Sequence, residues 1–281
     1  MKTIQQFEGI QTLDNAPRAW AAKWTEGIDV KDRTRAAYRK NIGYYLAWLE
    51  VSGRTGGLRA DIIAYKEYLT ATYSAATVSA YLTAVRGFYS WLNETLGAPD
   101  IAKGIKGTKK AKGFRKDPLS IQQIRAVLGA IGTDTLEDLR DYAILSLMIH
   151  TGLRVIEVQG ADVSDIRNVM GRSVLFIQGK GRDEKDAYVI LDSGVLQAIL
   201  NYLQARGESL DTSGPLFASV SDRNDGGRLT VRSISRIVKE RFRAVGIDSG
   251  RLTAHSLRHT AITLALLGGA TVQQAQAMAR H

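Results

Sequence analysis

One segment constrains the fold of this chain more than any other: the run from Ile101 to Asp117. It holds seven Lys or Arg residues and one acidic residue among three glycines. Like charges at this density oppose helix formation and favour an extended, flexible conformation. The segment therefore predicts a basic linker between two separately folded parts, residues 15–100 and 118–281. A chain of 281 residues is long enough for two hydrophobic cores.

The part before the linker is predicted to be helical. After an N-terminal arm of residues 1–14, four helices are expected: one from Pro17, one over about 33–51, one over about 59–72, and one that begins after Ser74. Apolar side chains at helical spacing give the second helix one buried stripe, made of Tyr38, Ile42, Tyr45, Leu46 and Leu49. Short glycine-containing turns separate these helices. The pattern indicates a compact four-helix domain.

The part after the linker combines helices with a short β pattern. Three strands are predicted, over Val163–Ile166, Ser173–Gln178 and Ala187–Leu191, with the turn Gly179–Lys185 between the last two. The predicted helices cover about 121–130, 136–150, a short stretch from 153, 193–206, 230–245, 255–267 and a last one from 272. The expected fold class is therefore mainly α with a small antiparallel β-sheet, that is, α+β.

The positive charge of the chain is unevenly placed. Residues 1–117 hold 19 Lys and Arg against 11 Asp and Glu, whereas residues 118–281 hold 19 against 17. A basic half indicates a polyanionic partner, most often nucleic acid, although a solvated basic surface explains the charge alone equally well. Basic and hydroxyl side chains on two of the predicted helices and in the linker are candidate phosphate contacts. They are Thr34, Arg35, Tyr38, Lys40, Thr77, Arg86, Lys109, Lys110 and Lys112.

Composition excludes several other classes of protein. Cysteine is absent, so the chain has no disulfides, no thiolate nucleophile and no cysteine-ligated metal. No apolar run is long enough to span a bilayer, and no secretory signal follows Met1. We therefore expect a cytoplasmic protein with no membrane partner, no bound metal and no cofactor.

Two candidate sites lie in the middle of the chain. Arg154 follows the helix-breaking pair Thr151-Gly152, and Glu157 lies one turn further on, where its carboxylate can hold the guanidinium. An Arg fork matches two phosphate oxygens, although a structural Arg–Glu pair would explain the motif by itself. Lys180 lies between two glycines at a predicted hairpin tip. A mobile ammonium there can deliver a proton, but polar glycine-rich turns are common.

A third candidate site lies near the end of the chain. His255 and Arg258 are three residues apart, which predicts that they are neighbours on one helix, on the face opposite the buried residues. A proton-transfer group beside a fixed cation suits a reaction at a phosphate. His259 lies four residues after His255, but a zinc protease motif needs Glu where Ser256 stands, so a metal site is disfavoured. His281, the last residue, is a fourth candidate because of its spacing from Arg258.

Taken together, these motifs resemble those of the tyrosine recombinases, or phage integrase family. Four motifs occur in the order and spacing of that family: Thr151–Glu157, Gly179–Gly181, His255–Thr260 and Ala279–His281. One such motif would be weak evidence, whereas four in register are strong. The resemblance covers the second part of the chain closely. It covers the first part more loosely, as the family's helical core-binding (SAM-like) domain.

The resemblance implies a site-specific recombinase or integrase that clamps double-stranded DNA. Strands would be cut and rejoined through a 3′-phosphotyrosyl intermediate. Arg154 and Arg258 would bind the scissile phosphate and neutralise the charge of the transition state. Lys180 would donate a proton to the leaving 5′-hydroxyl, His255 would assist as acid or base, and His281 would hydrogen-bond the phosphate. Arginines and a proton donor can supply this chemistry without a metal.

The resemblance also implies a supporting residue and an assembly. Glu157 matches the acidic residue that supports the first arginine of the family. Family members self-associate on DNA, from dimer to tetramer, and the same is expected here when a C-terminal segment is present.

Two departures from the family pattern stand out. The nucleophilic tyrosine would follow His281 by a few helical turns, yet no tyrosine follows Tyr202 in this sequence. We therefore expect a natural or engineered truncation that binds DNA but does not form the phosphotyrosyl bond. The second departure is Arg280, which stands where the family commonly has glycine.

Two other functions stay open at this point. A type IB DNA topoisomerase uses the same arginine, lysine and histidine chemistry, although the small helical N-terminal domain favours a recombinase. A cleavage-deficient DNA-binding accessory protein would agree with the missing tyrosine. Such a protein has no need of Lys180 or His255.

Overall fold

The computed structural model describes residues 16–108, 117–179, 182–222 and 224–280. The chain divides into two compact units, residues 1–112 and 113–281. The described residues form α-helices and one three-stranded antiparallel sheet, which confirms the predicted fold class. No helix within the described ranges has both the length and the apolar character needed to cross a membrane.

The N-terminal unit contains four helices. They are α1 (Ala16–Gly27), α2 (Asp32–Val51), α3 (Arg59–Thr72) and α4 (Ala75–Leu96). Helix α4 begins where the Ser74 hydroxyl accepts a hydrogen bond from the Thr77 backbone N–H, as its N-cap position predicts. Its inward stripe, with Leu82 and Phe88 among its members, is fully buried against the stripe of α2 that contains Tyr45. The aliphatic and aromatic side chains of these helices form one hydrophobic core.

The beginning of the expected linker belongs to this core. Ala102 and Ile105 are buried, so residues 101–108 pack on the N-terminal unit and are not extended as predicted. The Arg59 guanidinium reinforces this packing by donating to the backbone carbonyls of Ile101 and Lys103. The extended conformation was predicted from the density of cations, but the apolar residues between the cations pack on the core. Residues 109–116, the rest of the basic run, lie outside the described residues.

The C-terminal unit is built around one buried helix. Its helices are α5 (Ile121–Gly129), α6 (Leu136–Thr151), α7 (Val155–Gln159), α8 (Ser193–Ala205), α9 (Val231–Ala244), α10 (Ala254–Leu267) and α11 (Val272–Ala279). Helix α6 is buried on almost every side between Ala143 and Ile149, and both α8 and α10 pack against it. A helix that is apolar all round in this way occupies the centre of a domain. Helix α6 therefore supports the elements that carry the site.

A small sheet lies after α7, with β1 (Ile166–Val169), β2 (Arg172–Ile177) and β3 (Ala187–Ile190) in that order. Both pairings are antiparallel, with Ile166 opposite Leu175 and Ile177 opposite Ala187. The predicted strand Val163–Ile166 is wrong in its extent, because residues 163–165 form a 3-10 turn. The buried Asp165 carboxylate accepts a hydrogen bond from the Asp162 backbone N–H, and this local bond favours the turn over a strand.

The start of the C-terminal unit is tied to α10. The Leu119 backbone N–H donates to the Thr260 hydroxyl at 2.8 Å, within the buried core. The carboxylate of Asp117 forms a two-pronged ion pair with Arg251, at 2.6 and 2.7 Å. Because Arg251 lies just before α10, both contacts attach the first described residues of this unit to one helix.

Candidate active site

The site begins at the end of α6, where the chain turns sharply. Gly152 ends the helix with a φ of +63°, a left-handed conformation that glycine adopts without strain. A Cβ at this position would lie 3.4 Å from the Ala261 Cβ and 4.0 Å from the Arg258 Cγ. Gly152 therefore permits both the turn and the close approach of α10. Arg154 follows two residues later and caps α7.

Glu157 fixes Arg154 in place through two hydrogen bonds. Its carboxylate accepts from the Arg154 backbone N–H at 2.7 Å and from the Arg154 Nη1 at 2.7 Å. The Glu157 side chain is only 1% exposed, whereas the Arg154 side chain is 20% exposed. The carboxylate thus holds the guanidinium, which stays partly accessible to a ligand. The predicted pair is present, and its hydrogen bonds lie at the N-terminal end of α7.

Arg280 adds a second guanidinium to the same carboxylate. Its Nη2 donates to the Glu157 Oε2 at 2.8 Å, and its side chain is 16% exposed. The Glu157 carboxylate therefore bridges Arg154 and Arg280. This contact joins residues 123 positions apart, and in the sequence Arg280 stands out only as a departure from the family pattern.

Arg258 is the third guanidinium of the site, and it is 2% exposed. This burial corrects the prediction that Arg258 lies opposite the buried face of its helix. Its Nη1 donates to the Gly152 carbonyl at 2.6 Å, and its Nη2 donates to the Ala279 carbonyl. Two backbone carbonyls thereby accept hydrogen bonds from a buried guanidinium, which the hydrophobic pattern alone would place on the exposed face of the helix.

Electrostatics show that the three arginines act on one another. Burial, followed by repulsion from Arg154 and then Arg280, lowers the pKa of Arg258 to about 10, and Glu157 opposes this shift. Arg258 stays protonated at neutral pH, but the site disfavours its charge. Three guanidinium groups face one carboxylate, so the cluster carries two excess positive charges. An anion such as a phosphate would relieve this repulsion.

Two histidines lie on α10 near this cluster. His255 is exposed and His259 is half-buried, and their ring centroids are 4.9 Å apart in a T-shaped arrangement. Within the part of the chain that the structure describes, no group of three His, Asp or Glu side chains is arranged to hold a metal. Lys180 and His281, the other two predicted catalytic residues, lie outside the described residues.

Some of the predicted DNA contacts of the N-terminal unit are exposed, and others make contacts within the unit. Thr34 and Lys40 are exposed, while Thr77 is half-buried and occupied with the Ser74 cap. Tyr38 stacks on Trp24 at 5.6 Å. Two candidates are engaged internally: Arg35 donates to the carbonyls of Ile28 and Val30, and Arg86 donates to that of Ile105. Lys109, Lys110 and Lys112 lie outside the described residues.

A second charged cluster was not predicted from the sequence. Lys185, before β3, forms ion pairs with Asp162 and Asp165, and Arg228 forms another with Asp162. These contacts hold the segment before β3 against the segment before β1. The cluster therefore fixes the described residues that directly precede β3. Its members are spread over 66 positions of the chain, so no local pattern revealed it.

Comparisons with known proteins give matches to one family. A model of the phage integrase family matches residues 117–281. The chain is 35% identical over 213 residues to the tyrosine recombinase XerC of Corynebacterium glutamicum, a match that covers 74% of this chain and 65% of that relative. It is 30% identical over 268 residues to the tyrosine recombinase XerD of Mycobacterium tuberculosis, covering 90% of this chain and 84% of that one.

Solved structures are similar in fold. A dimer of lambda integrase (75–356) bound to a COC′ core site gives a TM-score of 0.70 at 16% identity, with 94% of each chain covered. The XerH recombinase bound to a palindromic difH substrate gives a TM-score of 0.71 at 18% identity, with 88% of this chain and 72% of that one covered.

Proposed function

Since the chain belongs to the phage integrase family of tyrosine recombinases, we propose that it is a site-specific DNA recombinase or integrase. In this proposal the C-terminal unit binds the scissile phosphate of duplex DNA. The observation that carries the proposal is the convergence of Arg154, Arg258 and Arg280 beside the buried Glu157. Guanidinium groups held by a buried carboxylate and by backbone carbonyls are preorganised, so they need little rearrangement when a phosphate binds.

The chemistry of strand exchange suits such a site. A tyrosine oxygen attacks the phosphorus, the bond from phosphorus to the 5′-oxygen breaks, and a proton is delivered to the leaving oxygen. Negative charge builds on the phosphoryl oxygens during this step, and Arg154 and Arg258 would stabilise it. Lys180 would supply the proton to the 5′-oxygen. His255 would assist proton transfer, and His281 would hydrogen-bond the phosphate.

None of the four family motifs of this chain contains the attacking tyrosine. Tyr202 is the last tyrosine of the sequence, and it is fully buried. Its hydroxyl accepts hydrogen bonds from the Arg206 Nη1 at 3.0 Å and from the Ala218 backbone N–H at 3.1 Å. We propose that the nucleophile comes from outside these 281 residues. By themselves they would bind DNA without forming a covalent bond to it.

The N-terminal unit and the basic run would contribute affinity. Thr34 and Lys40 are exposed on α2, where they can reach a phosphate backbone. Lys109, Lys110 and Lys112 of the basic run would add positive charge for phosphate binding. We propose that residues 15–100, 101–117 and 118–281 together clamp one duplex. Self-association on DNA is part of the proposal, since lambda integrase has been solved as a dimer and as a tetramer on DNA.

Selection of binding sites tests this proposal directly. Duplexes enriched by the chain from a randomised pool should converge on a defined sequence, and a denaturing gel should show no covalent adduct. The same chain supplemented with a tyrosine-bearing segment of a relative should form an adduct at a nick-containing suicide duplex. Relaxation of any supercoiled plasmid by that supplemented protein, without a preferred sequence, would indicate a type IB topoisomerase. Sequence-specific binding that never yields an adduct would indicate an accessory DNA-binding protein.

A further inference from the structure

Arg280 holds a backbone conformation that side chains rarely adopt. It ends α11 with φ +52° and ψ +52°, in the left-handed region. Among the described residues, Met170 at φ +51° is the other non-glycine residue with a positive φ. Glycine adopts this conformation without strain, whereas a residue with a Cβ is strained there. The side chain of Arg280 makes specific contacts from this position.

Those contacts lead into the phosphate site. The Arg280 Nη2 donates to the Glu157 Oε2 at 2.8 Å, and its Nη1 donates to the Met278 carbonyl at 3.0 Å. Its Nε is buried and has no acceptor among the described residues. Most of the guanidinium is thus enclosed by protein. Met170, in contrast, is 98% exposed and makes no comparable contact.

Sharing Glu157 changes the charge that the site offers to a ligand. If Glu157 served Arg154 alone, the carboxylate would neutralise Arg154 and leave only Arg258 in excess. With Arg280 present, Arg154 and Arg280 share one carboxylate, so two positive charges remain when Arg258 is counted. The Nη2 of Arg258 also donates to the carbonyl of Ala279, the residue before Arg280. The end of α11 is therefore connected to both of the other arginines.

We propose that Arg280 is a positioning residue of the phosphate site, which holds the end of α11 against α7 through Glu157 and adds one positive charge that a DNA phosphate neutralises. This inference rests on the proposed DNA-binding function. It assigns a role to the one residue of the Ala279–His281 motif that departs from the family pattern.

The test is a salt titration of DNA binding with a matched control. Arg280→Gly and Met170→Gly both relieve a left-handed backbone, but only the first removes a site contact. Fluorescence anisotropy with a labelled duplex selected by the wild-type chain should show about tenfold weaker binding for Arg280→Gly. Its slope of log affinity against log salt should be shallower by about 0.9, because one charge is lost. Met170→Gly should bind like the wild type, and Arg280→Lys should keep the wild-type slope.

A double-mutant cycle separates positioning from a general structural effect. If Arg280 acts through Glu157, the loss caused by Arg280→Gly should shrink in a Glu157→Gln background. An equal loss in both backgrounds would overturn the inference, and so would a wild-type salt slope for Arg280→Gly. Both results presuppose wild-type binding. A wild-type chain that binds no duplex would refute the proposed function and this inference with it.

Discussion

Replacement of Glu157 by glutamine should destabilise the C-terminal unit strongly. The carboxylate accepts from the Arg154 N–H, the Arg154 Nη1 and the Arg280 Nη2, so the substitution leaves two guanidinium groups without a counter-charge. Loss of one partner from a buried ion pair costs about 3–5 kcal/mol. The two arginine side chains are 20% and 16% exposed, which lets water compensate in part. We therefore expect a loss of roughly 2–4 kcal/mol in the free energy of unfolding.

Two spectroscopic signals can assign this loss to the correct unit. All four tryptophans, Trp20, Trp24, Trp48 and Trp91, precede residue 113, so tryptophan fluorescence reports only on the N-terminal unit. Far-ultraviolet circular dichroism reports on both units. In a thermal melt, the circular dichroism transition of Glu157→Gln should fall by roughly 5–12 °C, given a domain of this size. The tryptophan transition serves as the internal reference.

Glu240→Gln is the matched control for this prediction. Glu240 lies in the same unit and pairs with Arg236 at 3.2 Å, but both side chains are more than half exposed. An exposed pair at this helical spacing contributes about 0.5 kcal/mol or less. If the free energies of unfolding of the two glutamine variants differ by less than about 1 kcal/mol, the buried Glu157 carboxylate does not stabilise the unit as this reasoning requires.

Four further predictions concern the same unit and its ligand. A plot of log affinity for a selected duplex against log salt concentration should have a slope of about −0.9 for each phosphate that the protein neutralises, and a slope of zero would contradict DNA clamping. Gly152→Ala should lower the free energy of unfolding by about 1–2 kcal/mol in urea denaturation, because alanine is strained at positive φ; an unchanged midpoint would show that the turn adapts. Tyr202→Phe should cost about 1–2 kcal/mol by the same measurement, since the buried Ala218 N–H loses its acceptor and the partly buried Arg206 guanidinium loses one of its acceptors, while the affinity for DNA stays unchanged. In a version supplied with the tyrosine, Arg154→Ala or Arg258→Ala should abolish the covalent adduct in a gel assay yet weaken binding only about tenfold, as expected for the loss of one charge, so normal cleavage would remove their assigned roles.

Local features of the fold were predictable from sequence because local interactions determine them. The helix α3 was predicted over 59–72 and has those bounds in the structure. The capping boxes at Ser120 and Thr271 follow from residue type and spacing alone, since Ser120 pairs with Gln123 and Thr271 with Gln274. The β-pattern was located, but its first strand was misplaced. A single buried carboxylate, that of Asp165, determined the backbone there, and apolar alternation carries no information about it.

The candidate site was predictable in its residue types and less so in its geometry. The pair of Arg154 and Glu157 follows from a spacing of three residues at a helix start. The burial of Arg258 does not, because its acceptors are backbone carbonyls of Gly152 and Ala279, which any residue type would provide. The contact between Arg280 and Glu157 depends on how α11 packs after 123 intervening positions. Hydrophobic periodicity and motif spacing do not encode such tertiary contacts.

The attachment of the unit's first residues to α10 has a mechanical consequence. Asp117 forms two hydrogen bonds with Arg251, and the Leu119 backbone N–H donates to Thr260. The first described residues of this unit are therefore bonded to the helix that carries His255 and Arg258 and to the residue just before it. A displacement of Asp117 or Leu119 would therefore reach α10 directly. The start of the unit is in this way coupled to the helix that holds Arg258.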